Sequence, residues 1–178
     1  MIKTGKTAYL GLGSNLGEKK DNLKKALEKL SVEPGIMIEK YSSIYLTEPM
    51  GASEQSDFYN CAAKIMTTLS PDELLVALKK IEQEMGRHPD SHLQPRTIDI
   101  DILLYADYSI DTLELMIPHS RLTKRLFVLA PLLELEPELT HPQTRRQLRE
   151  YAVELGESQR VEKVIDYGAI FDESTEND

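Results

Sequence analysis

The sequence predicts an α+β sandwich, with two helices packed on a four-stranded sheet in the order β-α-β-β-α-β and further helices appended. Three observations carry this. Four short segments rich in Ile, Leu, Tyr and Ala are bounded by Gly, Pro, Asn or Asp, as strands require. Two intervening segments repeat apolar residues at helical spacing. The helices follow the first and third strands, which is the interleaving of a split β-α-β unit.

Taken in order, residues 7–12 form an apolar run that ends in the turn Gly13-Ser14-Asn15. Leu23, Ala26, Leu27 and Leu30 mark an amphipathic helix, which Pro34-Gly35 breaks. Residues 36–46 are expected to form one long strand, residues 47–58 a loop containing Pro49 and Gly51, and residues 60–69 a third strand. Ser70 opens the best-signalled helix. It is the N-cap, Pro71 takes the first helical position, and Glu73 completes a capping box. Leu74, Leu75, Leu78, Ile81 and Met85 form the apolar stripe, and Gly86 ends it. A polar loop over 87–95 leads into a strand over 97–105 in which Asp and Ile alternate. Residues 118–135 predict a helix from Ser120 with a break near Pro131. A last helix is expected over 144–155 and an edge strand over 161–166. The pattern as a whole predicts a ferredoxin-like sandwich, a βαββαβ core with added C-terminal helices. Residues 1–170 read as a single domain and 171–178 as a disordered acidic tail.

Composition narrows the function. The apolar runs are far too short to span a membrane, and the first residues lack the apolar core of a secretory signal. Cys61 is the single cysteine, which fits a reducing cytoplasm, and its apolar surroundings predict a buried side chain. The net charge of −9 argues against a general nucleic-acid binder. Residues 150–178 carry −7 of that charge, so the rest of the chain is nearly neutral and free to hold an anion in a local basic pocket.

Asp99 and Asp101 stand out. Side chains alternate along a strand, so both point one way while Ile98, Ile100 and Ile102 point the other. Two neighbouring carboxylates repel unless a cation lies between them or one is protonated. With oxygen ligands and no His-Cys cluster, the cation they suit is Mg²⁺. Taken alone, the pair is equally well read as a solvated strand face. Arg96 just upstream, with His119, Arg121, Lys124 and Arg125 downstream, adds the anion donors that transfer from a nucleoside triphosphate requires. Removing either aspartate is expected to relieve repulsion and leave stability unchanged or raised.

Three motifs extend the pattern: G-S-N-L-G near the start, G-R…P-R-T-I-D-I-D-I-L-L in the middle, and I-P-H-S-R-L-x-x-R-x-F-V-L after it. Over residues 7–140 the chain resembles the 6-hydroxymethyl-7,8-dihydropterin pyrophosphokinases of folate synthesis. The resemblance implies a ferredoxin-like fold and ATP-dependent transfer of a pyrophosphoryl group to the pterin's hydroxymethyl oxygen, releasing AMP. It implies that Asp99 and Asp101 hold two Mg²⁺ ions and that Arg87 and Arg96 face the phosphates. His119 and Arg125 match ATP-contacting positions, and Ile102 a residue beside the adenine. Thr47, Met50, Phe58, Asn60 and Phe127 match the pterin pocket. ATP and the pterin are thus the implied partners.

Plainer readings stand beside these. Phe58 and Phe127 suit a core, Asn60 a strand-start turn, His119 a surface turn, and Arg87 a helix C-terminus whose dipole it offsets. Gly11, Gly13 and Gly17 fit neither phosphate-loop signature and read as a tight strand-to-helix turn, bordering the pterin. The chain lacks the tryptophan and extra arginines that some relatives carry between Arg87 and Arg96, which leaves loop closure to His88, His92 and Leu93. A ligand-binding regulatory module and a metal-dependent nucleotidyltransferase remain competing functions.

Overall fold

The computed structural model describes residues 4–49, 56–87 and 95–171. Met50, His88, His92, Leu93 and residues 172–178 lie outside the described residues. The chain runs β1 (Lys6–Ser14), α1 (Lys19–Val32), β2 (Ile36–Tyr41), β3 (Ile44–Thr47), β4 (Phe58–Thr67), α2 (Pro71–Glu84) and β5 (Asp99–Tyr105). A small hairpin of β6 (Ile110–Asp111) and β7 (Met116–Ile117) follows, then α3 (Leu126–Leu135), α4 (Leu148–Leu155) and β8 (Val161–Ile165).

These elements make a mixed α/β structure around an antiparallel sheet ordered β5-β1-β4-β3-β8, with β2 also paired to β4. The alternation of strand side chains divides the core in two. Leu10, Leu12, Cys61, Ile65, Ile98, Ile100 and Ile102 pack against α1 and α2 on one face. Tyr9, Ala62, Leu103 and Leu104 meet Leu129, Leu132, Leu135 and Leu148 of α3 and α4 on the other. Among the described residues no helix is long and apolar enough to cross a membrane.

Local signals explain most boundaries. Ser70 Oγ accepts from Glu73 N–H at 3.2 Å while Glu73 Oε2 accepts from Ser70 N–H at 2.7 Å, so the capping box forms as the sequence predicts. Ser70→Ala is expected to cost about 1 kcal/mol and to lower Tm by about 2–4 °C in a melting curve. Gly86 leaves the helix with φ +89°, a conformation that suits glycine.

The helix expected from Ser120 begins at Leu126, after a 3₁₀ turn over Leu122–Lys124, and other boundaries also differ from the sequence reading. The long strand over 36–46 is broken at Ser42 and Ser43, both fully buried. Ser42 N–H still donates to Ala62 O at 2.9 Å, but Ala62 N–H turns to Ser42 Oγ at 2.9 Å and Ser43 Oγ donates to Glu134 at 2.7 Å, so side chains replace part of the ladder there. Pro131 lies inside α3 instead of ending it, because burying Leu129, Leu132 and Leu135 outweighs the lost backbone bond. The last helix starts at Leu148, not 144. His141 Nδ1 accepts from the amides of Gln143 and Thr144, and Arg145 is left-handed at φ +60°, so those residues form a turn.

Candidate active site

A trough opens on the α3 face of the sheet, and the register of three strands builds it. Gly11 of β1 lies opposite Asp101 of β5 on one side and Ala62 of β4 on the other. Gly13 lies opposite Asp99 and Asn60 in the same way. Side chains at all six positions share one face, but those on β1 are single hydrogens. Two carboxylates and a carboxamide therefore face one another across two strand spacings, roughly 10 Å, with Leu103 lying over Gly11 and the Asn60 carboxamide over Gly13. The resulting cavity is about 230 Å³. Thr47, Glu48, Pro49 and Phe58 line its β4 end, and Arg96, His119, Arg121, Arg125 and Phe127 line the rest.

The two aspartates differ electrostatically. Asp99 Oδ2 lies 2.6 Å from Arg96 Nη1, and its Oδ1 is bonded by Arg87 Nη1. Burial pushes Asp99 up, but the Arg87 and Arg96 guanidinium groups outweigh it and hold the carboxyl below its ordinary range. Among the described residues Asp101 meets only His119 Nε2, at 4.0 Å. Burial first, then the charge of Asp99, raise its pKa to about 6. The expectation that losing either aspartate leaves stability unchanged or raised is therefore kept for Asp101 alone. Losing Asp99 takes from half-buried Arg96 its carboxylate partner and leaves Arg87 with Glu82 alone.

Behind Asp99 stands Glu82, which is 1% exposed. Its Oε1 accepts from Ile100 N–H at 2.7 Å and lies 2.6 Å from Arg87 Nη1, while Oε2 is 2.9 Å from Lys79 Nζ. Lys79, Glu82, Arg87, Asp99 and Arg96 thus alternate in charge along one chain of contacts. Asn15 fixes its far end, accepting at Oδ1 from Arg96 N–H at 2.7 Å and donating its own amide to Arg96 O at 3.1 Å.

On the facing wall, His119 Nδ1 accepts from Arg121 N–H at 3.2 Å, which leaves the ring proton on Nε2, facing Asp101. Burial, then Arg125 and Arg121, lower the His119 pKa, so the ring is neutral near pH 7. Arg125 Nε is fully buried and, among the described residues, is the one such side-chain polar atom without a partner. Its guanidinium lies 5.3 Å from the Phe127 ring centroid.

At the β4 end, Asn60 Nδ2 donates to Thr47 Oγ1 at 2.7 Å. Asn60 Oδ1 passes so near Gly13 that an added Cβ would lie 2.8 Å from it. Gly13 is thus strand rather than turn, and the absence of its side chain is what the carboxamide needs. Of the residues singled out in the sequence, Thr47, Phe58, Asn60, Arg96, Asp99, Asp101, His119, Arg125 and Phe127 line one cavity, and Arg87 touches it through Asp99. Ile102 does not join them. It is 4% exposed in the opposite core, because the alternation that turns the aspartates outward turns Ile102 inward. Met50 lies outside the described residues. Sequence reasoning missed Glu82 and Asn15. Glu82 left a trace, a lone carboxylate four residues after Leu78 on an otherwise apolar helix face.

Comparisons with known proteins agree with this geometry. A family model described as 7,8-dihydro-6-hydroxymethylpterin-pyrophosphokinase (HPPK) matches residues 9–137. The 2-amino-4-hydroxy-6-hydroxymethyldihydropteridine pyrophosphokinase of Aquifex aeolicus is 47% identical over 148 residues, covering 83% of this chain and 91% of that protein. The Bacillus subtilis protein of the same name is 42% identical over 144 residues, 79% of this chain and 86% of that one. Crystal structures of Plasmodium falciparum HPPK-DHPS share the fold, one with a TM-score of 0.71 at 18% identity over 88% of this chain and 47% of theirs. Such a chain is more than twice the length matched. With the matched segment holding both the trough and the residues around it, the chain belongs to the 7,8-dihydro-6-hydroxymethylpterin-pyrophosphokinase family.

Proposed function

We propose that this chain transfers pyrophosphate from MgATP to the hydroxymethyl group of 6-hydroxymethyl-7,8-dihydropterin, releasing AMP, as a cytoplasmic step of folate biosynthesis. One observation carries the reading: paired carboxylates and cationic donors face a ring-and-amide pocket across a floor of glycine, close enough for two substrates to meet. The scaffold is ferredoxin-like on this reading, supported by the strand order β5-β1-β4-β2/β3 within the β1–β5 segment.

The donor set fits magnesium. Asp99 and Asp101 offer oxygen only, and among the described residues no group of three His, Cys, Asp or Glu could hold a metal alone. The remaining ligands then come from phosphate and water, which is the usual condition of Mg²⁺. Two Mg²⁺ ions, when bound, neutralise the transferring group and lower the pKa of the pterin hydroxyl. The chain's own residues position and exclude. Arg96, His119 and Arg125 bind the triphosphate as donors from the cavity wall. Asn60 and Thr47 address the pterin's polar edge, while Phe58 and Phe127 cover its flat faces. Arg87 and Arg96 occupy both oxygens of Asp99, so substrate binding frees them to turn from carboxylate to phosphate. In the transfer the pterin oxygen bonds to the β-phosphorus and gives up its proton to solvent, and the bond from the β-phosphorus to the α,β-bridging oxygen breaks, so that oxygen leaves with AMP.

The test is incubation with MgATP and 6-hydroxymethyl-7,8-dihydropterin, scored for AMP. Pyrophosphate in place of AMP would identify a nucleotidyltransferase, and neither product from folded protein would leave a binding module. Gly13→Ala forces the Asn60 carboxamide aside, so KM for the pterin is expected to rise roughly 10–100-fold while KM for ATP holds. Steady-state kinetics with each substrate varied in turn checks this.

A further inference from the structure

Residues 159–165 lie beyond the segment matched by the family model and run between two walls of the cavity. β8 extends the sheet alongside β3, with Val161 opposite Thr47, and Arg160 Nη1 is 3.7 Å from Glu48 Oε1 at the rim. Gln159 reaches the other wall. Its Oε1 accepts from Leu126 N–H at 2.8 Å, and its Nε2 donates to Lys124 O at 3.0 Å.

Those two backbone groups flank Arg125. This residue ends the short 3₁₀ turn Leu122–Lys124 and caps α3 with an extended backbone, φ −129° and ψ 109°, and with no hydrogen bond from its own side chain to the helix. The first amides of a helix need partners from outside it. Here one partner is a glutamine 33 residues away, half-buried, whose amide plane grips the peptides on both sides of Arg125. Fixing both peptides fixes the direction in which the arginine side chain leaves the backbone. That side chain lines the cavity and carries the unpartnered buried Nε.

We propose that Gln159 is a positioning residue for nucleotide binding, clamping Lys124 O and Leu126 N–H so that Arg125 is held ready for the phosphates of ATP. The inference rests on the proposed function above. A structural cap alone would affect stability; a positioning clamp acts on one substrate more than the other. Gln159→Leu keeps the volume and removes both bonds. It is expected to raise KM for MgATP roughly ten-fold and leave KM for the pterin within about two-fold, because a small misplacement of an anion donor acts on the group it touches. Direct titration with a non-hydrolysable MgATP analogue is expected to show the same loss of affinity. A lower Tm with both KM values unchanged would overturn the proposal, as would an equal rise in both. Should circular dichroism show Gln159→Leu unfolded, Gln159→Glu keeps the acceptor for Leu126 and loses the donor for Lys124. The same ATP-specific rise is then expected, and an unchanged KM for ATP overturns the clamp. Wild-type protein that makes no AMP refutes the proposed function itself, whereas active wild type beside a silent Gln159 variant refutes only this inference.

Discussion

Asp101→Asn is expected to lower turnover by about 10³-fold while the metal-free protein melts at the same temperature or slightly higher. The activity loss follows from removing one of the two carboxylates that would hold Mg²⁺ against the triphosphate, and losing one preorganised electrostatic partner of the transferring group costs about 10²–10³. The stability result follows from the environment of Asp101. Burial and the neighbouring Asp99 charge raise its pKa to about 6 in the folded chain, above the ordinary carboxylate value of the unfolded one. The folded state therefore holds more protons than the unfolded state between about pH 4 and pH 6, and stability attributable to this group falls as pH rises through that window. Asparagine removes the titration, so the variant should lose that part of the pH dependence. Because the side chain is 40% exposed, solvent screens the effect and the gain in Tm stays small. Parallel melts at pH 4.5 and pH 7.5, with AMP release measured at the higher pH, check both halves. A variant that is unstable yet active would contradict the account of the pair.

The other large effect belongs to Glu82. Replacing it with alanine leaves the Ile100 amide without its acceptor and Arg87 with one partner in place of two, in a site that is 1% exposed. Breaking a buried pair of this kind costs about 3–5 kcal/mol, which for a chain of this size lowers Tm by roughly 10 °C. Turnover should also fall, since β5 carries Asp99 directly beside the lost bond. Glu82→Gln should be far milder. Burial raises the Glu82 pKa ahead of the lowering from Ile100 N–H, Lys79 and Arg87, and a carboxamide of the same shape still accepts from Ile100. Thermal melts of the two variants decide the matter: equal destabilisation by Ala and Gln would show that the charge, rather than the acceptor, is what the site requires.

Asp99→Ala separates the aspartates. It should lose activity as Asp101→Asn does, but it should also lower Tm, because Arg87 and Arg96 are left half-buried without their shared carboxylate.

Much of this was legible in order along the chain. Ser70-Pro71-x-Glu73 specified the start of α2 because a cap is satisfied within four residues. The alternation of Asp99, Ile100, Asp101 and Ile102 specified which pair faces the core, since a strand's period is two. The motif around His119 and Arg125 named the wall opposite. Where bonds come from distant residues, the sequence misled. Ser42 and Ser43 break a strand that propensity joins, because Ala62 and Glu134 offer other partners. Pro131 stays helical because its leucine neighbours are buried. Gln159 and Asn15 showed no sign of their roles, since their partners lie 33 and 81 residues away.

What the sequence determined by itself is the set of chemical groups and the face each presents: carboxylates outward on β5, a carboxamide on β4, cations before and after. Only the tertiary structure decided that Gly11 and Gly13 fall between them in register, so that Leu103 and the Asn60 carboxamide lie over bare backbone at the floor of the cavity. It alone also made Asp99 and Asp101 unlike, one held ionised by two arginines and the other pushed towards neutrality. The physical reason is the same in both cases. Propensity and periodicity act over a few residues, whereas register, burial and the pairing of charge are fixed by groups far apart in sequence that meet only when the sheet closes.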